Sequence, residues 1–118
     1  MKTLLLSSLL VLSGCSLWMA PYDTNEYKLV NQVRTIAQLE KCDKDSITNL
    51  YNTTLELKNF SEYLPRNDAT IGMTSNLFKL VEDLNKRETI SPAFCKLKLN
   101  SINKSAETIQ QVIGNRPR

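Results

Sequence analysis

Twelve carboxylates, three cysteines and no histidine set the chemistry open to this 118-residue chain. Without imidazole there is no Ser–His or Cys–His nucleophile and no His-ligated metal site. Acid–base catalysis by carboxylates needs two of them positioned across a cleft. The only close pairs are Asp43 with Asp45 and Glu82 with Asp83. Neighbours one or two apart on a helix point in different directions, so neither pair makes a site by itself. No Gly-rich phosphate loop occurs. The expectation is a chain with no catalytic residues and no metal. The cysteines carry the remaining chemistry: Cys15 near the start, and Cys42 and Cys95 in the body.

Cys15 stands in a telling place. Met1 and Lys2 open the chain, and an apolar run from Leu4 to Leu12 follows, broken only by Ser7 and Ser8. A basic start, an apolar stretch and a small-residue region form the secretory leader pattern, and the run is well short of the roughly 20 residues that span a bilayer. Leu12-Ser13-Gly14-Cys15 resembles the lipobox of bacterial lipoproteins; the alternative is an ordinary leader with a chance cysteine. The resemblance covers about the first 15 residues and implies cleavage before Cys15 and a diacylglyceryl thioether on its sulfur. The covalent lipid is then the only prosthetic group expected. Ser16, where an aspartate would favour inner-membrane retention in that class, implies the periplasmic face of the outer membrane.

The chain divides accordingly into a leader (1–14), a lipidated cysteine with a short tether (15–21), one helical domain (22–114) and a C-terminal tail (115–118). Leu17, Trp18 and Met19 make the tether apolar, unlike a solvated Ser/Gly spacer. They are expected to form a membrane-proximal collar, with Trp18 at the lipid–water interface; the competing reading has Trp18 capping the helical core. Of the 15 basic residues, Lys2 leaves with the leader, so 14 face 12 acidic ones. Such balance lacks the basic footprint of a nucleic-acid binder.

In an exported domain this small, Cys42 and Cys95 read as a structural disulfide. A redox or metal role would want Cys-x-x-Cys spacing or further soft ligands, and the sequence has neither.

Helical periodicity accounts for the rest. Asp23 with Glu26 reads as a capping box and Tyr22 with Tyr27 as a hydrophobic staple, opening a helix through Val30, Val33 and Ile36/Ala37 to about Glu40. Asp43-Lys44-Asp45-Ser46 caps a second, whose face carries Ile47, Leu50, Tyr51, Thr54, Leu57 and Leu64 and which Pro65 ends. Residues 65–73 are undecided, with Gly72 weakening any helix through them. A third helix is clear from about Thr74 to Arg87. Ser91-Pro92 starts the last, along which Cys95, Leu99, Ile102, Ala106, Ile109 and Ile113 form one continuous apolar seam, with Gly114 expected as its left-handed cap. The fold class expected is all-α, a bundle of about four helices stapled by Cys42–Cys95. A coiled-coil dimer along the last seam is disfavoured by Ala106 and by the lack of complementary flanking charges.

Function on this reading is a membrane-anchored, non-enzymatic interaction module at the bacterial envelope, with the membrane and an envelope protein as partners. Two alternatives belong to the same location: an exclusion or immunity lipoprotein of phage or mobile-element type, blocking a receptor or cell-wall enzyme, and the outer-membrane subunit of a phage lysis pair. The mildly basic stretch Lys96, Lys98, Lys104, Arg116 and Arg118 is a further candidate contact, set against a plain solvated helix face.

Overall fold

The computed structural model describes residues 20–118, and these form four α-helices with no strand among them: α1 (Thr24–Gln38), α2 (Lys44–Tyr63), α3 (Asp68–Lys86) and α4 (Pro92–Gly114). The all-α expectation holds, as does the bond between Cys42 and Cys95. Helix starts follow the local chemistry. Asp23, Asp43 and Ser91 each accept a backbone N–H three residues on, from Glu26, Ser46 and Phe94, satisfying donors that the first turn leaves unpaired. Pro92 occupies the first helical position, where a missing N–H costs nothing. Tyr22 and Tyr27 close the staple, their ring centroids 5.6 Å apart.

Each helix buries one stripe. Val30, Val33 and Ala37 of α1, Leu50 and Leu57 of α2, and Leu77, Val81 and Leu84 of α3 share one core with the α4 seam, all six of whose residues are buried. Short connections fold the chain up and down, so that α1 packs on α2 and α4, and α3 on α2 and α4, with no diagonal contact. The pairing between α1 and α4 runs in opposite order along the two helices: Glu26 meets Arg116, Arg34 meets Gln110 and Asn103, and Cys42 meets Cys95. The two helices are antiparallel.

Three local differences from the sequence reading have physical causes. First, α3 begins at Asp68, six residues before the clear apolar stripe. Thr70 and Thr74 continue that stripe inward, and both are buried because their hydroxyls bond backbone carbonyls of Asn67 and Ile71. Gly72 faces open space, so it costs the helix only its intrinsic penalty of about 1 kcal/mol. Second, Gly114 is the last helical residue and not a left-handed cap, since no glycine has positive φ among the described residues. A Cβ there would lie 3.3 Å from Cε2 of Tyr27, so the glycine makes room for that ring. Third, residues 115–118 are not a free tail. Arg116 is buried, and Pro117 accepts a hydrogen bond from the backbone N–H of Tyr22 at 2.9 Å. A guanidinium enters the protein where a cluster of polar groups waits for it.

Two predictions follow from these elements. A disulfide closing a loop of about 54 residues restricts the unfolded chain by about 4 kcal/mol, so Cys42→Ser with Cys95→Ser lowers the melting temperature by about 10 °C or more, read by circular dichroism. At the head of α2, hydrogen bonds from the Ser46 hydroxyl and backbone N–H hold the exposed Asp43 carboxyl below its ordinary 3.8. A carboxylate lowered on folding contributes its full stabilisation above the unfolded value and loses it as pH falls through the folded one. Asp43→Asn keeps a capping oxygen but no charge; its melting curve should lie below that of the wild type near neutrality and converge with it in acid.

Candidate functional site

The antiparallel bundle has two unlike poles. At one, the starts of α1 and α3 meet the ends of α2 and α4 around a buried polar knot. The Glu26 carboxylate is wholly buried, with Oε1 2.8 Å from Nη1 of Arg116. Its Oε2 accepts from the Ser61 hydroxyl at 2.8 Å and from Nδ2 of Asn67 at 2.7 Å. Arg116 Nη2 donates to Oδ1 of Asn67 and to Oγ1 of Thr70, at 2.6 and 2.9 Å. Glu26 of α1, Ser61 of α2, Thr70 of α3, Asn67 at the α3 cap and Arg116 two residues beyond α4 are thereby tied into a single network. Among the described residues no buried side-chain polar atom lacks a partner, which is the condition under which a buried ion pair is tolerated.

Glu26 was the expected second half of the capping box. Only half of that box forms, with Asp23 capping the Glu26 N–H, while the Glu26 side chain turns inward to Arg116. Sequence reading missed this because Glu at the third helical position has an ordinary surface explanation, and Arg116 lies in what reads as a tail. The available signal was Ser61 and Thr70, polar residues where the apolar stripes should have continued, with Asn67 between them at the α3 cap.

The knot is saturated and closed. Both carboxylate oxygens are engaged and all of its members are buried, so it presents little to a ligand. Three of the four acids in the close pairs are also spoken for. Asp43 caps α2, Glu82 pairs with Lys86, and Asp83 pairs with Arg87 and lies 3.8 Å from Lys98. The basic C-terminal stretch does not form one surface: Arg116 is internal, Arg118 stacks over Tyr22 with its guanidinium carbon 4.3 Å from the ring centre, and Lys98 turns toward Asp83 and Phe94.

At the opposite pole, the Cys42–Cys95 bond joins the end of α1 to the first turn of α4. Beside it the α1–α2 connection and the α3–α4 connection enclose a cleft of about 330 Å³. Ile47, Leu84 and Ile90 make its walls apolar; Lys44, Lys86 and Arg87 stand around them, with Glu88 the one acidic residue of the lining. Arg87 is held over Phe94, its guanidinium carbon 4.3 Å from the ring centre. Leu39 and Leu97, two of the most exposed large apolar residues described, lie three and two positions from the bonded cysteines. Cys15 and the collar residues Leu17, Trp18 and Met19 fall outside the described residues. None of the described helices is long and apolar enough to cross a membrane, and no group of three or more candidate metal ligands occurs among the described residues. No protein-family model, curated protein or solved structure matches the chain.

Breaking the knot from one side leaves a charge buried without its counter-ion, which costs about 3–5 kcal/mol. Arg116→Ala and Glu26→Ala should each destabilise by about that much in urea titrations. The double variant should fall short of the sum by about 1–3 kcal/mol, because the second substitution removes the charge that the first left stranded.

Proposed function

We propose that this chain is a lipid-anchored lipoprotein of the bacterial envelope, fixed through Cys15, that acts without catalysis by presenting its stapled pole to a protein partner. The observation that carries the reading is the meeting of the two ends of the described residues at the knotted pole. Tyr22 donates its backbone N–H to Pro117, Ala20 is buried, and Arg116 is bonded to Glu26 in the first turn of α1. A tether entering there confines the body closely. Four residues separate Cys15 from Ala20, and the five residue steps reach at most about 18 Å.

The 23 residues of α4 rise about 35 Å, so an anchor at one pole leaves the other well clear of lipid. That separation supports a division of roles between a membrane pole and a presenting pole. A disulfide in a small domain agrees with an oxidising compartment. Stable attachment requires two or more acyl chains, since one alone holds only weakly; a lipidated amino-terminal cysteine of the lipoprotein type supplies them. The serine at position 16 favours the outer membrane, periplasmic face.

Radiolabelled palmitate should enter the full-length chain in a globomycin-sensitive manner and remain in the membrane fraction. Cys15→Ala should abolish labelling while leaving the helical circular dichroism of the body unchanged. An unlabelled, freely soluble wild-type chain would refute the anchor.

A further inference from the structure

We infer that the cleft at the stapled pole binds an acidic peptide segment carrying a bulky apolar side chain, contributed by another envelope protein. This names the partner chemistry of the presenting pole and so rests on the reading above for its location. The apolar half of the recognition falls to Ile90, partly exposed at the mouth over a floor closed by the buried Ile47 and Leu84. Its volume of about 330 Å³ is at the lower end of the range for ligand pockets, enough for one or two side chains.

The rim supplies the polar half. Three cations line the cleft against one carboxylate, that of Glu88. Lys44 enters no ion pair among the described residues. Lys86 and Arg87 are balanced along their own helix by Glu82 and Asp83, but neither of those acids is part of the cleft lining. Lys86 keeps most of its side chain in solvent, at 70% exposure, free to turn toward an incoming anion. Arg87 is braced on Phe94, which holds a planar donor fork at the rim at little further entropic cost.

Geometry disfavours the other occupants. A bilayer lies at the far end of a bundle about 35 Å long. A second copy in the same leaflet stands in the same direction and brings its own basic rim alongside, with like charges opposed. A segment with carboxylates flanking Leu, Ile or Phe matches both halves of the cleft.

The test uses the full lipidated chain in nanodiscs of zwitterionic lipid, titrated with the capped peptide Glu-Asp-Leu-Ile-Asp-Glu and with the same peptide carrying lysine for each acid. The acidic peptide should bind and shift the amide resonances of Ile47, Leu84 and Ile90, and the basic one should not. Binding should weaken as salt shortens the screening length. Lys44→Glu with Lys86→Glu should weaken it about tenfold or more while the bundle stays folded, with only the small loss of melting temperature that exchanging the Lys86–Glu82 pair for like charges brings, and Lys44→Arg should retain it. Equal binding of both peptides, shifts confined to other residues, indifference to charge reversal, or no binding at all would overturn the proposal. Palmitate labelling is scored separately, so an anchored protein with a silent cleft fails here alone, and an unanchored one that binds the acidic peptide fails only in its location.

Discussion

A buried ion pair between the first turn of the first helix and a residue beyond the last is the constraint on which this bundle's closure depends. Four amphipathic helices of similar length can pack in several registers with little difference in apolar burial, because a Leu or Ile one turn along fills much the same space. Glu26 and Arg116 remove that freedom. A carboxylate and a guanidinium taken out of water must find each other and must also satisfy their remaining valences, and only one register of α1 against α4 brings them together. Ser61, Asn67 and Thr70 then extend the condition to α2 and α3. Any slip by a turn would strand a charge in the interior. The pair selects among packed states; the apolar seams supply the drive to pack at all.

The disulfide and the ionic knot cross-link the same two helices at opposite ends by unlike physics. The covalent bond acts mainly on the unfolded chain, by shortening the excursion between α1 and α4. The knot acts on the folded state and on nothing else, since its members span residues 26 to 116 and are scattered when the chain is open. One link answers to reductant and is indifferent to salt; the other depends on charge and on exclusion of water. Between them lie the polar contacts of Arg34 with Asn103 and Gln110, and of Gln110 with Asn31. The α1–α4 interface is thus specified along its whole length by bonds that have a partner in only one alignment.

Where the sequence was legible, a side chain's local role was also its final role. The α4 seam could be read residue by residue because each apolar position is core and nothing else. Asp23, Asp43 and Ser91 could be read as caps because capping needs only three residues of context. The start of α3 was obscure for the opposite reason. Thr70 and Thr74 are polar by type yet inward by position, their hydroxyls absorbed by the helix's own carbonyls, and hydrophobic periodicity has no mark for such residues. Glu26 and Arg116 were read at their most economical local value, a capping partner and a tail residue. Their actual partners lie 90 positions apart, a separation over which charge alone carries no address. Likewise the cleft at the stapled pole joins two connections, around Lys44 and around Arg87, that become neighbours only once the bundle is folded.

The contrast between the two poles bears on which of them can do something. A binding site needs unspent capacity: apolar surface still meeting water, or donors whose present partners are exchangeable. The knotted pole has little left to offer, since each carboxylate oxygen is bonded and Arg116 is buried. Opening it would expose a carboxylate and a guanidinium to no profit, as water would do no better than the partners they have. At the stapled pole the balance differs. Exposed ion pairs such as Lys86 with Glu82 are worth little in water, so exchanging one carboxylate for another costs little, while covering the partly exposed Ile90 gains the free energy of apolar burial. Concentrating stability at the end where the chain would be tethered leaves the other end free to retain surface that a stability optimum would have covered.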